Sequence, residues 1–324
     1  MSRPVQSALQ PADGSAAAFI DSLGMVMYVG GGAILFVVLA LALYGVFGRP
    51  RVVSVRHWVI GGGLLFPAIT LSALLVYSLA IGNGLAAIGT SNALQLFLDC
   101  FSGDARPQQD ADLLRVHVVG KQWWWEVRYE RANGVDAITA NELHLPTDRP
   151  VELVLSTTDV IHSFWMPSLA GKVDMIPGRT TRLRVQTSEA GTFRGLCAEY
   201  CGGQHALMAF VVVTRPPAEF AAWLDAQARP AQLSDIGYGL FLKGNCQACH
   251  TIRGTPANGA AGPDLTHVGG RRMLAAGVLD NHIGTMAGWI AGAQDVKPGN
   301  AMPSASIYTG EELRALAAWL GSLE

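Results

Sequence analysis

The chain has 324 residues, of which 15% are charged and 50% hydrophobic, with a formal net charge of −2. Its mean hydropathy is +0.28. Soluble domains run nearer about 25% charged, so both disorder and a wholly soluble globule are excluded. The near-neutral balance offers no basic face, and no nucleic-acid partner is expected.

The apolar excess is concentrated near the start. Residues 1–22 read as an extracytoplasmic segment with no early apolar core and no cleavage site, so no cleaved signal peptide is expected. No charged side chain occurs from Ser22 to Gly48, nor from Trp58 to Leu98. Spans are predicted over residues 23–47 and 58–81, each longer than the ~20 residues that cross a bilayer core. The triplets Gly30-Gly31-Gly32 and Gly61-Gly62-Gly63 allow close helix approach, and Pro67 is tolerable in a spanning helix. The connection holds Arg49, Arg51 and Arg56 without an acid, which places it in the cytoplasm and both termini outside. Residues 82–109 read as a linker, with Cys100 as a buried free thiol.

Residues 110–216 read as β structure. Leu114–Val119, Trp123–Tyr129, Val151–Ser156, Thr181–Gln186 and Phe210–Thr214 are short runs rich in Val, Leu, Thr and aromatics. Turn signals such as Asn133-Gly134 and Pro177-Gly178 separate them, a pattern of sandwiches and barrels. Residues 217–232 are a link with a short helix at Ala218–Ala228. Residues 233–324 switch to helical periodicity, with helices predicted at Asp235–Lys243, Asn281–Ala291 and Glu311–Leu323. His117 and His144 read as satisfied surface or core histidines.

Four of the five cysteines fall in two motifs. Cys246-Gln247-Ala248-Cys249-His250 has the pattern of covalent haem c attachment: two thiols bond the vinyl groups and the next histidine is an axial ligand. A redox dithiol or half a zinc site is the alternative. Candidates for the second axial ligand are Met273, Met286, Met302, His267 and His282. Met302 is favoured, because the loop Lys297–Pro303 can aim it, whereas Met286 reads as helix packing.

The second motif is Cys197-Ala198-Glu199-Tyr200-Cys201-Gly202-Gly203-Gln204-His205-Ala206-Leu207-Met208. Two thiols, an imidazole and a thioether are soft or borderline ligands that suit copper. A mononuclear blue copper site needs one cysteine. Two sulfurs can bridge two coppers, each with one imidazole and one weak ligand, and His162 is the candidate for the second imidazole. A Cys197–Cys201 disulfide or a two-Cys, two-His zinc site remains the alternative.

The hairpin, the Cys-x-Glu-x-Cys-x-x-x-His-x-x-Met loop and the aromatic run Gly120-Lys121-Gln122-Trp123-Trp124-Trp125-Glu126 resemble subunit II of haem–copper cytochrome c oxidases over almost the whole chain. The added haem domain resembles the fused, caa-type variant. The resemblance implies a multidomain membrane protein: a two-helix transmembrane hairpin, a cupredoxin-like Greek-key β-barrel and an all-α class I cytochrome c domain. It implies a dinuclear copper (CuA) centre held by His162, Cys197, Cys201, His205 and Met208, with the Glu199 carbonyl as a further ligand. It also implies a magnesium ion shared by the Glu199 carboxylate with subunit I, and electrons entering copper at Trp123. Cys246, Cys249, His250 and Met302 would hold one covalent haem c.

The implied partners are subunit I, other oxidase subunits, membrane lipid and an upstream cytochrome or quinol-oxidising complex as donor. The implied function is electron relay to an oxygen-reducing site in subunit I of a proton-pumping oxidase. The implied location is the bacterial inner membrane, with both termini and both soluble domains on the periplasmic side. One departure is Ser54-Val55-Arg56-His57-Trp58, which holds no acid where many relatives carry one near a proton entrance. A membrane-anchored carrier serving another terminal reductase, or a copper-delivery protein, are the other readings.

Overall fold

The computed structural model describes residues 14–48, 54–87, 113–131, 137–231 and 235–324. The chain divides into two compact units, one of Ser15–Asp110 and one made mainly of Ala111–Glu324. Arg49, Arg51 and Cys100, together with most of the predicted linker, lie outside the described residues.

The first unit holds two long apolar helices that contact each other. The first runs Ser15–Phe47, starting eight residues before the predicted span. The Ala16-Ala17-Ala18 run, good helix formers, extends it beyond the apolar stretch. The second opens at Val55–His57, widens into a π-helical stretch at Trp58–Leu65 and continues through Phe66–Ala87, again beyond the predicted span. The Phe66 N–H reaches back five residues to the Gly61 carbonyl, past three glycines that put no side chain in the way. Large apolar side chains point outward along both helices: Phe36 is 73% exposed and Leu71 64%. Helices apolar all round and unburied are built for lipid.

The second unit contains two five-stranded sheets. One has the order β3-β2-β1-β5-β8, from Ala137–Ala140, Trp124–Tyr129, Leu114–Lys121, Val151–Thr157 and Thr181–Val185. The other has the order β4-β10-β9-β6-β7, from Glu142–Pro146, Ala209–Arg215, Gly191–Cys197, His162–Trp165 and Val173–Met175. The β1–β5 and β4–β10 pairs are parallel and the others antiparallel. Alternation fixes the register: Leu114, Val116 and Val118 point inward, as do Trp125, Val127 and Tyr129 on the partner strand. Between the sheets Trp125 meets Phe164 at 5.3 Å and Phe210 at 5.5 Å between ring centroids. Each such pair adds about 0.5–1.5 kcal/mol beyond its buried area. The layers form the cupredoxin-like fold expected, as two five-stranded sheets packed face to face.

The helix Pro217–Gln227 starts with proline in its first turn and covers part of the second sheet, stacking Trp223 on His144 at 3.8 Å. Helices Asp235–Lys243, Ile283–Ala291 and Gly310–Gly321 then surround a core of Phe241, Ile252, Val268, Met286, Leu316 and Leu320. His282 caps the middle helix, which therefore begins two residues after the predicted Asn281. Thr309 and Glu312 form a reciprocal cap on the last. The β domain and the helical domain pack against each other in this unit. The Ala209 N–H donates to the Ala276 carbonyl (3.0 Å), and the Arg272 N–H donates to the Glu142 carboxylate (2.8 Å).

Candidate metal centres

Strand β9 ends at Cys197 and β10 starts at Ala209, and the loop between them curls over the end of β6, where His162 stands. The two sulfurs lie 3.8 Å apart and are unbonded. Each has its own imidazole: Cys197 Sγ is 3.8 Å from His162 Nδ1, and Cys201 Sγ is 3.6 Å from His205 Nδ1. Each also has a weak donor. Cys197 Sγ donates to the Glu199 carbonyl at 3.2 Å, and Cys201 Sγ lies 3.7 Å from Met208 Sδ. His162, Cys197 and Cys201 bring ligand atoms within 4.8 Å of one another, all buried. Paired thiols, each with one imidazole and one weak ligand, fit two soft metal ions better than one tetrahedral zinc, which would leave Met208 idle.

The electrostatics match. The two thiols interact strongly: hydrogen bonding from Cys201 holds Cys197 well below the usual thiol range, while the same hydrogen bond, with burial, pushes Cys201 up. Burial lowers the His162 pKa, but bonds to Cys197 and Asp159 outweigh it and raise it.

Several residues orient these candidate ligands without carrying any motif. Asp159 Oδ1 lies 2.8 Å from His162 Nε2, which turns Nδ1 toward the sulfur. A side chain at Gly120 would put its Cβ 2.9 Å from the His162 ring. Gln122 Nε2 and Trp123 Nε1 both donate to the Cys201 carbonyl, at 2.8 and 3.0 Å. Trp123 sits at the tip of the β1–β2 hairpin, outside the strand predicted for it. The three tryptophans divide: Trp125 is wholly buried core, Trp124 takes Lys121 over its ring at 4.7 Å, and Trp123 faces the Cys197–Met208 loop. The Glu199 side chain is exposed.

The second site is a cavity of about 570 Å³ lined by Cys246, Cys249, His250 and Met302, with Phe241, Leu265, Val268, Ile290, Leu316 and Leu320 for its apolar wall. His250 Nδ1 donates to the Pro263 carbonyl at 2.8 Å, which leaves Nε2 for a metal. Gly262 lets the backbone approach this ring, where a Cβ would come within 2.5 Å. Arg271 also lines the cavity, and its Nε is buried without a partner. An apolar cavity with two thiols, an oriented imidazole and a guanidinium whose Nε is unmatched, although another nitrogen bonds the Asp264 carbonyl, fits a haem and its propionates.

The other axial candidates divide by their bonds. His267 Nε2 lies 2.9 Å from the Arg229 carbonyl, and His282 Nδ1 accepts from Gly284 N and Thr285 N. Met286 packs in the helical core and also reaches the cavity wall. The Met302 loop is held by Asn300, whose Oδ1 accepts from Met302 N at 2.7 Å, and by Gln294, which donates to the Met302 carbonyl at 2.7 Å. His117 bonds Glu130 and His144 bonds Glu142, as satisfied histidines do.

The family described as "Cytochrome C oxidase subunit II, periplasmic domain" matches residues 114–215, and the family described as "Cytochrome c" matches residues 234–324. Cytochrome c oxidase subunit 2 of Alkalihalophilus pseudofirmus is 34% identical over 244 residues, 74% of this chain and 68% of that protein. The subunit 2 of Bacillus subtilis is 33% identical over 213 residues, 61% of this chain and 59% of that protein. Among solved structures, the periplasmic domain of subunit II (CoxB) of Bradyrhizobium japonicum aligns over 35% of this chain and 92% of its own, with 28% identity and a TM-score of 0.33. With a relative of such identity spanned over more than two thirds of its length, the chain belongs to the cytochrome c oxidase subunit 2 family, in the fused form that ends in a cytochrome c domain.

Proposed function

We propose that this chain carries electrons from its own haem c, through a dinuclear copper centre, toward an oxygen-reducing site in subunit I of a proton-pumping oxidase. Family membership makes it an electron-transfer subunit of a haem–copper oxidase with copper and haem as cofactors, working beside subunit I. Its two apolar helices anchor it in a membrane. The relay reading rests chiefly on one observation: two thiols share a pocket and each has its own imidazole.

In this reading His162, Cys197, Cys201, His205, Met208 and the Glu199 carbonyl hold two coppers. Cys246 and Cys249 attach the haem, with His250 and Met302 as axial ligands. Bound, the two groups supply one-electron transfer at small structural cost. The protein supplies fixed geometry. Asp159 aims His162, Pro263 aims His250, and the Trp123 indole bonds the Cys201 carbonyl where electrons enter the copper loop. The exposed Glu199 carboxylate is free to meet a magnesium ion at the subunit I boundary.

The domains are taken as residues 1–22, 23–81, 82–109, 110–216, 217–232 and 233–324, with both soluble domains on the periplasmic side of a bacterial inner membrane. The donor is a cytochrome or a quinol-oxidising complex. The haem motif argues against a copper-delivery protein. Affinity purification from native membranes separates relay from free carrier. Recovery of a large haem–copper subunit with this chain, and donor-driven oxygen uptake lost in Cys246→Ala/Cys249→Ala, is the expected result. Recovery of the chain alone, or uptake unchanged in that variant, contradicts the relay.

A further inference from the structure

The segment Lys297–Pro303 touches both candidate metal centres. At one end Met302 reaches the haem cavity. At the other, Lys297 leaves the helical domain and buries itself against the copper-binding domain, with only 3% of its surface exposed. Its Nζ donates to three backbone carbonyls: Trp123 at 2.9 Å, Leu207 at 3.0 Å and Ala275 at 3.3 Å. An ammonium has three donors, and all three are matched. The next carbonyl, of Pro298, accepts from Gln204 Nε2 at 2.6 Å.

The partners are telling. Trp123 is the hairpin tip bonded to the Cys201 carbonyl. Gln204 and Leu207 belong to the loop between Cys201 and Met208. Ala275 belongs to the tight turn between β11 (Met273–Leu274) and β12 (Leu279–Asp280). In that turn Ala275, Ala276 and Gly277 adopt φ of +54°, +59° and +77°, a left-handed conformation costly for alanine. What holds it there is the neighbouring domain: Ala276 accepts from Ala209 N, and a Cβ on Gly277 would meet Ala209 at 3.1 Å. One lysine thus gathers the Trp123 tip, the copper loop and the haem domain's turn around a single buried charge.

We propose that Lys297 is a positioning residue that pins the haem domain to the copper loop and the Trp123 hairpin and so fixes the path between the two centres. A neutral apolar chain in its place leaves three buried carbonyls without a donor. Water then enters and the two surfaces part, because unmatched buried carbonyls are costly. Burial pulls the lysine down to about 8, partly offset by the Cys201 sulfur. The proposal rests on the relay reading above.

The test uses the full chain in its oxidase complex. The haem is reduced by a light pulse, and electron arrival at copper is followed optically. Lys297→Met and Lys297→Leu are expected to keep full copper and haem content and the parental haem spectrum, and to slow transfer by about tenfold or more, since a misplacement of ångström size can cost that much. Lys297→Arg, which restores donors, is expected to recover most of the rate. Either neutral variant transferring at the parental rate with both cofactors loaded overturns the proposal. So does loss of copper or haem in both, which would make Lys297 a folding residue. Absence of haem-to-copper transfer in the parent complex is a different outcome, and it overturns the relay itself.

Discussion

Asp159 shows how much a single side chain without a motif contributes. It bonds His162 and also accepts from the Gln122 and Val160 N–H groups, so it braces the imidazole and the Trp123 hairpin together. Removing such a partner of a ligand histidine lowers metal affinity by about 10- to 100-fold. Asp159→Asn is expected to do so, as read by competition with a copper chelator, and unchanged affinity would mean the ring is held by packing alone.

A second residue pair governs acid tolerance. Arg215 Nε donates to His144 Nδ1, so a neutral ring donates from Nε2 to Glu142, whose other oxygen accepts from Arg272 N. Burial lowers the His144 pKa below its ordinary 6.5. Burial pushes Glu142 up, but its bonds with His144 and Arg272 outweigh that and hold it below 4.5. Both groups bind fewer protons folded than unfolded, so both destabilise the fold as pH drops. The His144 contribution is whole above about 6.5 and is lost below it as pH falls toward the folded value. Melting temperature should therefore decline from there, and His144→Gln should flatten the upper part of the slope. Parallel slopes in parent and variant would contradict this.

Among the elements, helix crossings depend on single small residues. A Cβ at Gly237 would come 1.9 Å from the Trp319 ring where the first and last helices of the cytochrome domain meet. Both partners are core, so neither can give way easily. Gly237→Ala is expected to cost about 1–3 kcal/mol by overpacking, seen as a lower melting temperature of the haem-containing domain; unchanged melting would show that the helices slide apart freely.

Legibility in the sequence followed the same physics. Strands with one face buried were readable, because Leu114, Val116 and Val118 alternate with polar neighbours. Glu142–Pro146 was not, since every residue of it is buried, His144 under Trp223 of the helix Pro217–Gln227 and Glu142 against Arg272. Gly191–Cys197 has glycines where a pattern would need side chains. The candidate metal loop stood out in the sequence because five potential donors lie within twelve consecutive residues, Cys197 to Met208. Lys297 did not, because it acts on backbone carbonyls 174 and 90 residues away, and a carbonyl leaves no trace in residue type.

At the scale of the whole molecule, the low charge fraction traces to two helices with outward apolar side chains, while both metal-binding domains form one compact unit. Holding both domains in one unit replaces a diffusional encounter by a fixed neighbour. That arrangement has a purpose only if both centres are present in one chain. Metal analysis with electron paramagnetic resonance on the purified protein decides it. Two coppers per haem are expected, with a hyperfine pattern of one electron shared between two copper nuclei, lost in Cys201→Ser while the haem spectrum stays intact. One copper per haem, zinc in its place, or a shared-electron signal that survives Cys201→Ser would contradict it.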